Sequence, residues 1–148
     1  MEIRILFRLE PTNEHSYKTE SVWAECLEEP YHFRVLNSPF YVFGISAEDV
    51  ISAKEIEGVL EFSEVVSRGG HSTYRIFLQG DRTINDADFQ LSWSPISALG
   101  ATFENANNRF VAVNILPDRN AAEIYELLAK GELGGVWTLE EAHCGAQR

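Results

Sequence analysis

Cysteine is scarce in this chain: the two residues, Cys26 and Cys144, have no paired spacing. That argues against a disulfide framework and for reduced thiols. Positive charge is also in short supply, since 12 Lys and Arg stand against 23 Asp and Glu, for a formal net charge of -11. A field of that sign repels phosphate backbones and anionic lipid, so neither nucleic acid nor a membrane surface is an expected partner. No apolar run is long enough to span a bilayer. Met1 to Leu9 alternates in polarity and includes Arg4 and Arg8, unlike the basic-then-apolar profile of a signal peptide. A cytoplasmic location is expected. Walker loops, nucleotide fingerprints and Cys-X-X-Cys motifs are lacking. His15, His32, His71, His143, Cys26 and Cys144 come from separate segments apart from the adjacent His143-Cys144, so neither a metal nor any other cofactor is expected.

What the chain does have is apolar content. Its 148 residues are 45% hydrophobic and 11% aromatic, enough to bury a core. Ile3, Ile5, Phe7 and Leu9 alternate with polar and charged neighbours, the period of a half-buried strand. Residues 13–20 read as a polar loop, and residues 21–27, 31–36, 40–45 and the stretch from Val50 through Ala53 read as further strands. Glu57-Gly58 makes a hairpin turn into Val59, and residues 59–78 read as two strands joined by the tight corner Arg68-Gly69-Gly70-His71. Short strands at close spacing with no helical window imply a small β-barrel or a rolled antiparallel sheet.

After Leu78 the pattern changes. Ile84, Ala87, Leu91, Pro95 and Leu99 recur at helical spacing, with Pro95 expected to kink or split the helix and Gly100 to end it. Residues 102–105 and 110–116 read as strands around an Asn107-Asn108 turn. Asn120 then caps a helix over residues 121–130, with Glu123 placed to reach back to the cap and Gly131 closing it. Residues 136–142 form the last strand. From Ser72 the order is strand, helix, strand, strand, helix, strand, which matches a ferredoxin-like β-α-β-β-α-β unit. The expected fold is α+β, with an all-β part over residues 1–70 and a ferredoxin-like part over residues 71–148. The two parts are expected to pack as one compact unit, with the hairpin of residues 59–78 shared between them.

Several segments together form a recognisable pattern: Ser21-Val22-Trp23-Ala24-Glu25, Asn37-Ser38-Pro39-Phe40-Tyr41 leading to Gly44 and Asp49-Val50, Arg68-Gly69-Gly70-His71-Ser72-Thr73 with Arg75, and Ala112-Val113 before Pro117. This pattern resembles a bacterial family catalogued as domain of unknown function 4265, and the similarity runs from about Ile3 to Ala142. The family carries no settled activity to transfer, and the resemblance fixes no site residue. Small acidic proteins of this kind often accompany polymorphic bacterial toxins, which implies, by analogy, an immunity role.

The polar corner before Ser72 invites a catalytic reading that strand geometry weakens. Consecutive strand residues point to opposite faces, so His71 and Ser72 do not meet as base and nucleophile, and no strand-to-helix elbow follows. Phosphate cradles open onto a helix N-terminus, whereas here a strand follows. The leading expectation is a non-enzymatic acidic binding protein, an immunity protein that occludes a toxin domain with a basic surface. Glu20, Glu28 and Glu29 would steer that partner, with Tyr41 and Trp93 as aromatic anchors. The alternative is a small-ligand module or enzyme with a cleft between the two parts, using Glu25, Asp49, His71 and Arg75. A third reading is an assembly or scaffold subunit.

Overall fold

A computed structural model describes residues 1–10 and 16–145. His15 and the start of the expected polar loop lie outside the described residues. The N-terminal strands are β1 (Glu2–Arg8), β2 (Thr19–Cys26), β3 (His32–Val35), β4 (Val50–Ile56) and β5 (Val59–Ser67). They pair in sequence order, and a parallel contact between β1 and β5 at Leu6 and Glu61 closes the barrel. Period-two alternation decides which side chains enter it: Ile5 and Phe7 of β1 and Val22 and Ala24 of β2 are buried. Register shifts in the β4–β5 ladder, at Val50/Ile51 and Ser52/Ala53, provide the local bending that a small closed barrel needs. Glu57 (φ 51°) and Gly58 (φ 81°) both take the left-handed conformation, as a two-residue turn joining twisted strands requires.

The rest of the chain forms β6 (Ser72–Leu78), α1 (Ala87–Ala98), β7 (Thr102–Asn107), β8 (Phe110–Ile115), α2 (Ala121–Leu133) and β9 (Trp137–His143). Their sheet has the order β7-β8-β6-β9, with β6 antiparallel to both neighbours. Tyr74, Ile76 and Leu78 of β6 form a second core with Val111, Val113 and Ile115 of β8, joined by Phe89 and Ile96 of α1 and Ile124 and Leu128 of α2. The molecule is thus α+β, with five strands in one sheet and four in the other. No helix among the described residues is long and apolar enough to cross a membrane.

Several expectations need correction. Residues 59–78 are not a hairpin: β5 pairs with β4 and β1, while β6 pairs with β8 and β9. The corner at 68–71 therefore carries the chain from one sheet to the other. Residues 40–45 form no strand. α1 is continuous through Pro95; the carbonyl that loses its helical donor there is that of Leu91, a residue 76% exposed on the solvent side of the helix. The buried face of α1 is Phe89, Trp93 and Ile96 rather than the face bearing Leu91. α2 runs on to Leu133, with Gly131 inside it; a Cβ at Gly131 would overlap the ring of Trp137. Asn120 does cap α2, its side chain accepting from the Glu123 N–H at 3.1 Å.

Candidate functional site

Residues 36–49 join β3 to β4 without strand structure, so their backbone polar groups must be satisfied from elsewhere. Glu20 does this from the barrel side. Its carboxylate accepts the N–H groups of Phe40 (2.6 Å), Tyr41 (2.9 Å) and Val42 (2.9 Å). Arg75 does it from the sheet. Its buried guanidinium donates to the carbonyls of Pro39 (3.2 Å), Tyr41 (3.3 Å) and Val42 (2.9 Å), while its Nε–H donates to Glu140 at 2.6 Å. The Phe43 ring covers the guanidinium at 4.7 Å. Both side chains thus hold the loop between the two sheets.

Asp49 is fully buried and plays a related part. Its oxygens accept from the Ser46 N–H (2.9 Å), the Gly69 N–H (3.0 Å) and Arg68 (3.0 Å), fastening the loop to the corner between β5 and β6. Gly69 must be glycine there, because a Cβ would meet the Glu48 carbonyl oxygen at 2.6 Å. His71 is tethered through Nδ1 to Asn114 Oδ1 at 2.9 Å.

Beside this junction lies an open cleft of about 580 Å3 lined by Arg34, Glu48, Arg68, Gly69 and His71, among others. Arg34 stands 3.7 Å from Glu25 and 3.7 Å from Glu48. The cleft therefore brings His71 together with Arg68 and, through Arg34, reaches Glu25. Asp49 is buried behind Arg68, and Arg75 lies under the loop rather than at the cleft wall. The charges alternate in sign, so the cleft can ion-pair a small polar molecule without concentrating one charge. Burial, reinforced by the Arg68 guanidinium, holds the His143 imidazole below its ordinary range, against smaller opposing effects of Asp49 and Glu141.

Glu28 and Glu29 occupy a different place, exposed at the barrel end remote from the second sheet. There, the tips of the β2–β3 and β4–β5 hairpins surround a mouth of about 410 Å3 with Ile3, Leu27, Tyr31, Phe33 and Leu60 in its wall and Glu29 and Glu55 at its edge. Sequence reasoning missed this mouth and the Arg34–Glu48 pair. The signal for the mouth was available, since alternate hairpins of an up-and-down barrel share one end. Trp93, expected as an exposed anchor, is instead 6% exposed in the second core, its ring 5.1 Å from Phe103. Tyr41 is half-buried between Tyr17 (4.9 Å) and Phe110 (5.6 Å). Burial first, then Tyr17, pushes its phenol above the usual range.

A family model described as Domain of unknown function (DUF4265) matches residues 20–139. The chain belongs to that family. The DUF4265 match takes in the junction residues Glu20, Asp49, Arg68 and Arg75 together with both hairpin tips of the barrel mouth. Among solved structures, a hypothetical protein from Neisseria gonorrhoeae is similar, with a TM-score of 0.79 at 14% identity over 98% of this chain and 96% of that one. Identity that low shows a shared fold alone. No curated protein matches the chain.

Proposed function

We propose that this DUF4265 member is a non-enzymatic acidic binding protein acting in the cytoplasm. Its leading concrete form is an immunity protein that neutralises a bacterial toxin by covering a basic surface. The observation that carries the reading is where the acid lies. Glu20, Asp49 and Arg75 are committed to the junction, whereas Glu28, Glu29, Glu55 and Glu57 stand exposed around the free end of the barrel. With a formal net charge of -11 behind them, they would speed encounter with a basic partner and discriminate against acidic ones. The test is co-expression with a toxin encoded beside this chain. Rescue of growth together with a stable purified complex is expected; neither rescue nor binding would sink the immunity form.

The second half we read as ferredoxin-like, because the strand order β7-β8-β6-β9 and the two helices over one core are what that topology requires. A second functional reading, small-ligand binding, is favoured by the cleft of about 580 Å3 at His71. There, His71→Ala should abolish binding of a ligand found by screening while leaving the melting temperature nearly unchanged. A large loss of stability with no ligand found would count against it.

A further inference from the structure

We infer that the open end of the barrel receives a basic protein segment, one that places a bulky apolar side chain in the mouth with Lys or Arg on either side. This rests on the binding-protein reading and adds the surface and the chemistry of the partner. The two barrel ends differ in how they are closed. At the end facing the second sheet, Val42 and Ile45 from residues 36–49 join the barrel core and plug it. At the free end, Ile3, Cys26 and Leu60 only partly bury against the same core. The mouth of about 410 Å3 beyond them has room for a leucine or phenylalanine side chain. Filling it would remove from solvent apolar surface that no described residue covers.

Charge selects the occupant. Among the described residues, the carboxylates lining the mouth are Glu29 and Glu55, and their chain neighbours Glu28 and Glu57 are exposed; Cys26, Tyr31 and His32 are the other titratable side chains in the wall, and Met1 also lines it. An acidic segment, a nucleic acid or an anionic lipid would meet like charge there, whereas Lys or Arg flanking an apolar residue would meet opposite charge at the rim. Rim pairs of this kind fix orientation and rate, and the apolar side chain provides most of the affinity.

The experiment titrates the full chain against three labelled probes: a lysine-rich peptide with a central phenylalanine, the same peptide with serine at the centre, and a glutamate-rich peptide with the phenylalanine. Fluorescence anisotropy should show binding of the first, weakening with salt, and binding of the other two about 10- to 100-fold weaker. Glu29→Gln combined with Glu55→Gln should weaken the first by about 5-fold. Tyr31, at φ 60°, gives a variant that cannot be dismissed as unfolded: Tyr31→Gly relaxes the backbone while removing part of the wall, so it should lose affinity without losing stability. The bound peptide should also slow alkylation of Cys26, read by mass spectrometry separately from Cys144. No binding at millimolar peptide, equal binding of all three, or an unchanged Cys26 rate would overturn the inference. Toxin neutralisation that survives the double Gln variant would place the surface elsewhere and leave the binding reading intact. Peptide capture without toxin neutralisation would do the reverse.

Discussion

Glu20 looks on paper like one more surface carboxylate, yet it accepts three successive backbone N–H groups from residues 40–42. Glu20→Ala would leave those donors to find water at a partly buried seam, with an expected loss of about 3 kcal/mol in urea unfolding. Glu20→Gln should cost less, since one acceptor oxygen remains. Trp93→Ala should cost about 3–5 kcal/mol, as for any large core aromatic, whereas an exposed anchor would cost little. His143 makes a pH prediction. Its folded pKa lies below the ordinary 6.5, so in the interval between the two the unfolded chain binds a proton that the folded chain does not. Stability from this group is therefore complete above pH 6.5 and declines as pH falls through 6.5 toward the folded value. His143→Gln should flatten that part of a melting-temperature profile; an unaltered profile would show that the imidazole is not held neutral.

At the scale of elements, the strands of the barrel were readable because each buries one face, and a period of two survives in the residues themselves: Ile5 and Phe7, Val22 and Ala24. Residues 36–49 were not readable for a definite reason. Phe40, Tyr41 and Phe43 look like strand residues, and the groups that replace strand pairing, Glu20 and Arg75, lie 20 to 36 positions away in sequence. The sequence marks α1 as a helix but not which way it faces, since it offers two apolar faces and only the sheet beneath decides that Phe89, Trp93 and Ile96 face inward. The polar corner at 68–71 was legible as a corner, while its partner Asp49, the residue that makes it a fastening point, was not. In α2, Gly131 was expected to end the helix, as glycines often do. It is instead where the helix lets the Trp137 ring approach, and the Trp137 indole N–H reaches the Leu128 carbonyl at 2.8 Å from there. Gly131→Ala would ordinarily favour a helix by up to about 1 kcal/mol. Here it should destabilise by about 1–3 kcal/mol through overpacking, with the near-ultraviolet dichroism of Trp137 perturbed. A stabilised variant would contradict the packing described.

For the molecule as a whole, the question is whether two hydrophobic cores unfold as one. Each forms a separate cluster, and polar contacts run between them: Arg75 to the loop carbonyls, Asp49 to the corner, and the Gly44 N–H to the Ala142 carbonyl at 2.9 Å. Polar contacts of this kind couple strongly only while every partner is present, because each missing one leaves a buried group without a bond. Arg75 matters most, since one guanidinium reaches the carbonyls of Pro39, Tyr41 and Val42 and the Glu140 carboxylate. In the unaltered protein, hydrogen exchange should give amides of β2 in the barrel and β8 in the sheet the same opening free energy, the mark of a single cooperative unit. Arg75→Met removes the donor from three carbonyls and uncouples the loop, at a cost of about 3–5 kcal/mol. The β2 and β8 values should then separate, the half with the weaker core opening first. If they instead fall together by the same amount, the cores are joined by packing around residues 36–49, where Phe40 and Tyr41 meet Phe110, and the guanidinium only tightens a seam that the aromatic rings already hold.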